Sequence, residues 1–135
     1  MRKIEFRGKR IDNGEWVRGY YMAIAGTHKI LSPNPDSPSG ATYYDVDRHT
    51  VGQNTGIKDR RGQEVFEGDI VFWIACYGRG VGRGEQGAII WDKHTFSWAI
   101  LRDTPTLDGR PCIISRPFDK KHLEIVGNIH EDPEN

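Results

Sequence analysis

Sixteen glycines and seven prolines are spread along 135 residues, leaving few windows of roughly 10–12 residues in which an amphipathic helix could run. A backbone denied helices must pair its N–H and C=O groups between strands. Several short strands joined by turns favour a small barrel or sandwich over a parallel α/β sheet. The expected class is therefore mainly β. At 15.4 kDa the chain is expected to form a single domain. Its parts are an N-terminal β portion over about residues 1–50, a barrel portion over about 51–130, and an acidic tail at 131–135.

Alternation locates the strands. Ile4 and Phe6 point one way, and Lys3, Glu5 and Arg7 the other. Asn13-Gly14, between Ile11-Asp12 and Trp16-Val17, predicts a hairpin with a type I′ turn that sets Asp12 opposite Glu15. Three prolines between Ser32 and Gly40 predict a loop dividing an N-terminal β unit, about residues 1–31, from the rest. Tyr43, Tyr44 and Val46 suit a short strand or a turn of helix. Asp59-Arg60-Arg61-Gly62 and Glu67-Gly68 read as turns, and Asp69 then opens the strand Ile70–Ala75. Apolar on both faces, that strand is expected to be covered on both sides. Full burial of Phe72 would make Phe72→Ala cost about 3–5 kcal/mol. Gly78, Gly80, Gly82, Gly84 and Gly87 predict a flexible loop. Ala88–Trp91 and Phe96–Leu101 predict a hairpin around Asp92–Thr95, and Leu123–Ile129 a last strand.

Charge and hydropathy exclude several classes. Nineteen basic and nineteen acidic residues balance, which argues against a polybasic tail binder and an acidic solvating chain. The longest apolar run, Ile70–Cys76, falls far short of the ~18 residues a membrane span needs. Met1-Arg2-Lys3 leads into alternation rather than an apolar leader. Cys76 and Cys112 allow one bridge at most. A soluble, cytoplasmic protein without membrane contact is expected.

Candidate chemistry is sparse. Gly78–Gly84 tempts a phosphate-loop reading, but a strand begins at Gly87 where a helix would be needed. The Gly-Arg alternation still leaves Arg79 and Arg83 as candidates for anion or nucleic-acid contact. His28, His49, His94, His122 and His130 show no paired metal-ligand spacing with Cys76 or Cys112, so neither metal nor cofactor is expected. Asp92, His94 and Ser97 are triad residue types, yet one hairpin cannot set them in triad geometry. Trp16, Trp73, Trp91 and Trp98, with Phe72 and Phe96, could form a base-stacking platform, but strand aromatics are more often core. Residues 1–18 carry six bases against three acids, and the tail 131–135 three acids and no base. Such asymmetry suits contacts between copies or an anionic partner.

The segment from Gln53 to Val71 resembles the signature of the YopX family, small proteins encoded by phages and prophages. The opening Met1–Arg7 and the ending Ile125–Glu134 are similar to that family too. Ile90 stands where the family carries an acidic residue, and the loop Tyr77–Gln86 is longer and richer in glycine. The resemblance implies a mainly β fold: an N-terminal β-hairpin unit, then a small SH3-like barrel. It implies a bacterial host cell and no assigned activity. Physically, Thr55-Gly56 and Arg61-Gly62 place glycine where a turn needs it, and Glu67-Gly68-Asp69 re-aims the chain into the apolar strand. Thr55, Gly56, Asp59, Gly62, Glu67, Gly68 and Asp69 are thus read as a structural signature. Glu67 and Asp69 as an acidic pair would lack the partners of general acid–base catalysis. The expected function is a non-enzymatic oligomeric or interaction module, a homo-oligomer with room for an unidentified protein partner. The alternative is a nucleic-acid-binding accessory protein with weak, salt-sensitive affinity, using the basic N-terminus and the Gly/Arg loop.

Overall fold

Eleven strands and one 3-10 turn make up the regular structure of the computed structural model, which describes residues 4–75, 83–93, 96–105, 111–114 and 123–131. The chain divides after Gly56 into two compact units. The first holds β1 (Phe6–Lys9), β2 (Trp16–Ile24), β3 (Thr27–Pro33), β4 (Ala41–Asp45), the 3-10 turn Arg48–Thr50, and the start of β5 (Gly52–Lys58). Its sheet runs β4-β3-β2-β1-β5, with the β1–β2, β2–β3, β3–β4 and β1–β5 pairs all antiparallel.

The expected hairpin joins β1 to β2, but by a wider loop than Asn13-Gly14 alone. Arg10 N–H donates to the Glu15 carbonyl at 2.9 Å, and Gly14 N–H returns to the Arg10 carbonyl at 2.9 Å. Asp12 therefore does not oppose Glu15; it pairs with Arg10. The two-residue turn lies one hairpin later, at Ala25-Gly26, where both residues have positive φ (51° and 79°) as a type I′ turn requires. The proline-rich loop is likewise a hairpin connection rather than a boundary. Pro33 occupies the last ladder position of β3, opposite Ala41, so the missing N–H interrupts nothing inside the sheet. Asn34 closes the loop: its N–H donates to the Gly40 carbonyl at 2.8 Å and its amide to Thr42 Oγ1 at 2.8 Å.

The end of β4 then bends onto the end of β1. Arg10 and Val46 form a bridge, and Ile11 N–H donates to the Asp45 carbonyl at 3.0 Å. On the concave side Ile30 and Val46 are buried against Gly8, where an added Cβ would lie 3.1–3.3 Å from Ile30, Val46 and Val51.

The second unit takes up β5 and continues with β6 (Glu64–Phe66), β7 (Asp69–Ala75), β8 (Arg83–Asp92), β9 (Ser97–Pro105), β10 (Pro111–Ile114) and β11 (Glu124–Asn128). Strand β6 neighbours β5, and the other five form an antiparallel sheet in the order β10-β9-β8-β7-β11. Among the described residues this sheet does not close, so the barrel expected here is an open antiparallel sheet with β10 and β11 at its ends. Its core is Val65, Val71, Trp73, Ile89, Ile100 and Leu123, with Trp98 and Ile125 packed against it. The β8–β9 hairpin follows expectation, pairing Trp91 with Trp98 and Asp92 with Ser97. Among the described residues no helix is long and apolar enough to cross a membrane.

Two sequence expectations change here. Strand β7 lies between β8 and β11, but its described side chains are unevenly covered: Val71 and Trp73 are buried, whereas Phe72 on the other face is 36% exposed. The glycine-rich stretch is also not loop throughout, since Arg83–Gly87 pairs with Val71–Ala75. Gly84 lies under the Phe72 ring, and a Cβ there would sit 2.8 Å from two ring carbons. At Gly84 strand pairing overrode the glycine because an aromatic fills the space it leaves, and at Gly87 the neighbouring strand's backbone at Leu101 does so. Phe72→Ala is accordingly expected to cost about 1–2 kcal/mol, not the value for a buried phenylalanine, as read from urea unfolding.

Candidate functional site

The signature carboxylates turn inward to the backbone. Asp59, only 5% exposed, accepts with Oδ1 from the N–H groups of Arg61 and Gln63, both at 2.9 Å. Its Oδ2 accepts from the Ile125 N–H of β11 at 3.2 Å. Arg60 N–H donates to the Leu123 carbonyl at 2.9 Å, and the guanidinium groups of Arg60 and Arg61 both reach the Glu124 carboxylate. Asp69, 2% exposed, accepts from Phe66 N–H at 2.8 Å and so folds the Glu67-Gly68 turn back on itself. Gly68 N–H donates to the Ile89 carbonyl, and the Gly68 carbonyl accepts from Ile129, both at 2.9 Å. Gly62 and Gly68 hold φ of 81° and 91°, which a side chain would resist. Half-buried Glu67 sits at that turn. In the first unit, buried Thr55 precedes Gly56, whose N–H donates to Asn54 Oδ1 at 2.9 Å. These residues shape turns and tie strands together.

The first unit carries a different surface on its convex side. Registers Lys9↔Trp16 and Arg7↔Arg18, then Tyr20↔Leu31 and Met22↔Lys29, then Leu31↔Tyr43 and Lys29↔Asp45, place these residues on one face. Gly8, Ile30 and Val46 occupy the other. Tyr20, Ile24 and Tyr43 are 66%, 67% and 55% exposed. The Arg7 guanidinium lies 4.6 Å from the Trp16 ring centroid and Lys9 Nζ 5.4 Å, both within cation–π range. Arg18 stands 3.7 Å from Glu5, and Lys29 donates to Asp45 at 2.7 Å. The face thus interleaves aromatic rings with four cations and two carboxylates.

The YopX protein family model matches residues 5–135. The chain belongs to the YopX family. No curated protein matches it.

In this YopX chain the signature segment therefore frames the fold, and the exposed chemistry lies elsewhere. Arg79, His94 and His122 lie outside the described residues, and Arg83 is described as the first residue of β8, opposite Ala75. Among the described residues no group of three or more His, Cys, Asp or Glu is placed to hold a metal ion. The tryptophans divide between roles: Trp73 and Trp98 serve the core, Trp16 supports cations, and Trp91 is exposed. Tryptophan positions alone do not mark the convex face. Its signal was nevertheless present in the period-two series Trp16, Arg18, Tyr20, Met22, Ile24.

At one end of the YopX first unit is an open groove of about 1150 Å³, lined by Arg10, His28, Tyr44, Arg48 and His49 among others. Arg10 lies 4.5 Å from the Tyr44 ring centroid and grips Asp12 at two points, 3.0 and 2.6 Å. That hydrogen bonding holds the Asp12 carboxyl below the ordinary aspartate range. A lowered folded-state pKa stabilises above the unfolded value, and the benefit is lost as pH falls through the folded one. Carboxyl NMR should show Asp12 still ionised when an unfolded-chain aspartate is half protonated. Arg10→Ala should return its midpoint to the ordinary range.

Proposed function

We propose that this YopX-family chain is a non-enzymatic interaction module of phage or prophage setting, acting in the cytoplasm of a bacterial host through the convex face of its first-unit sheet. The observation that carries the reading is the majority exposure of Tyr20, Ile24 and Tyr43 on one sheet face. Large side chains grouped this way mark interaction surfaces more often than solvent-facing decoration. The inward commitment of Asp59 and Asp69 to backbone N–H groups supports a framing role for the signature rather than a catalytic one. Affinity capture from infected or lysogenic cells tests the proposal, comparing the protein with a Tyr20→Ala/Tyr43→Ala double variant. A partner retained by the first and lost by the second is expected; identical retention by both would overturn it.

Self-association is a second reading, favoured by edge strand β11, where Val126 and neighbouring Ile129 are exposed. Light scattering at micromolar protein should then return a multiple of 15.4 kDa. A monomer throughout would remove this reading without touching the first.

A further inference from the structure

We infer that the convex face of the first-unit sheet is a stacking platform for single-stranded nucleic acid, an assignment that rests on the interaction-module reading above. Tyr20 on β2 and Tyr43 on β4 flank Leu31 on β3 in one cross-strand row. Two strand spacings separate the tyrosines, about 10 Å. Both rings are more than half exposed, and each offers a face on which a base can stack whatever its identity.

Charge decides which partner fits. The row is bordered by Arg7, Lys9 and Arg18 on β1 and β2 and by Lys29 on β3, against the carboxylates of Glu5 and Asp45. Among the described residues that these registers place on the face, four cations thus stand with two carboxylates in a chain of zero formal charge. Arg18 and Lys29 are partly offset by Glu5 and Asp45. The Trp16 ring lies against both Arg7 and Lys9. A phosphate backbone with unstacked bases complements cations alternating with aromatics at every second position. Protein interfaces instead tend to exclude charge from their centres, and a second copy docked by the same face would bring like charges together. The site is distinct from the Gly/Arg loop, and it reads stacking surfaces rather than base edges, so binding is sequence-tolerant.

Fluorescence anisotropy with the full chain tests this, using labelled mixed-sequence single strands of about 20 nucleotides, one DNA and one RNA, and the matching DNA duplex. At low salt, either single strand or both should bind more tightly than the duplex, whose bases are already stacked. Tyr20→Ala and Tyr43→Ala should each weaken binding about tenfold, within the range for losing one stacked base. Tyr20→Phe and Tyr43→Phe should retain it, and Arg79→Ala/Arg83→Ala should leave it unchanged. With two to four phosphates neutralised, log K against log salt should slope at about −1.4 to −2.8. Unchanged circular dichroism and melting temperature would show that the exposed-tyrosine variants remain folded. Absence of single-strand binding, preference for duplex, indifference to both tyrosines, or loss confined to the Arg79/Arg83 variant would each overturn the assignment. If the strands fail to bind while Tyr20→Ala/Tyr43→Ala still releases a cellular partner, the interaction module stands and this partner class falls.

Discussion

Gly19→Ala is expected to prevent the first unit from folding. Gly19 is buried on β2 opposite Phe6, and a Cβ there would lie 1.9 Å from the Leu31 carbonyl oxygen and 2.8 Å from its carbon. Those are backbone atoms of the neighbouring strand, so no rotamer change relieves the clash. Separating β2 from β3 would break the register that carries Tyr20↔Leu31 and, beyond it, Leu31↔Tyr43. Overpacking usually costs about 1–3 kcal/mol, and a contact this short against fixed backbone belongs at about 4 kcal/mol or more. Circular dichroism and urea unfolding should show loss of the cooperative transition. A variant within about 1 kcal/mol of the parent would mean that β2 and β3 do not approach as described.

Asp59→Ala is expected to destabilise the second unit by about 3–5 kcal/mol, since three backbone N–H groups would lose an ionic acceptor in a buried site. Two of them, from Arg61 and Gln63, belong to the turn itself; the third, from Ile125, belongs to β11. Asp59→Asn separates these duties. An amide oxygen can still accept from the turn, but its NH₂ would meet the Ile125 N–H donor to donor. That variant should lose about 1–2 kcal/mol, with faster hydrogen exchange concentrated at the Ile125 amide. Equal exchange along the whole of β11 would refute the division of labour.

Much of this architecture is legible from residue order because strand pairing is local in its signals. The β8–β9 hairpin and the apolar strand β7 follow from runs of Ile, Val and Trp bounded by turn residues. What eluded the sequence depends on neighbours distant along the chain. Gly84 is in a strand because Phe72 lies across it, a contact no local pattern announces. Ala25 adopts positive φ although alanine has no preference for it, so residue types alone point to Asn13-Gly14 for the type I′ turn. Phe72 belongs to an apolar series on both faces, yet it is over a third exposed, because alternation tells which face a residue takes and not what covers that face. The acceptor role of Asp69 is short-range and readable from its turn. The bond from Ile125 to Asp59 spans 66 positions and is not. The convex face combines both cases: its period-two series is local, and its alignment with Tyr43 requires two hairpin registers.

The position of β11 has a consequence for how the protein is made. Chain synthesis proceeds from the N-terminus, so β1 to β4 and the first part of β5 are complete early and their contacts can form as the chain emerges. Strand β7 is different, because one of its two neighbours, β11, is made only after β8, β9 and β10 have followed it. Until Leu123 to Asn128 arrive, one edge of β7 lacks its partner, and the Asp59 turn lacks both the Ile125 donor and the Leu123 acceptor. A nascent chain therefore carries a finished first unit beside a sticky, half-built sheet. A premature stop shortly before Leu123 would freeze that state, yielding a protein able to display the convex face yet prone to pair its open β7 edge with another chain.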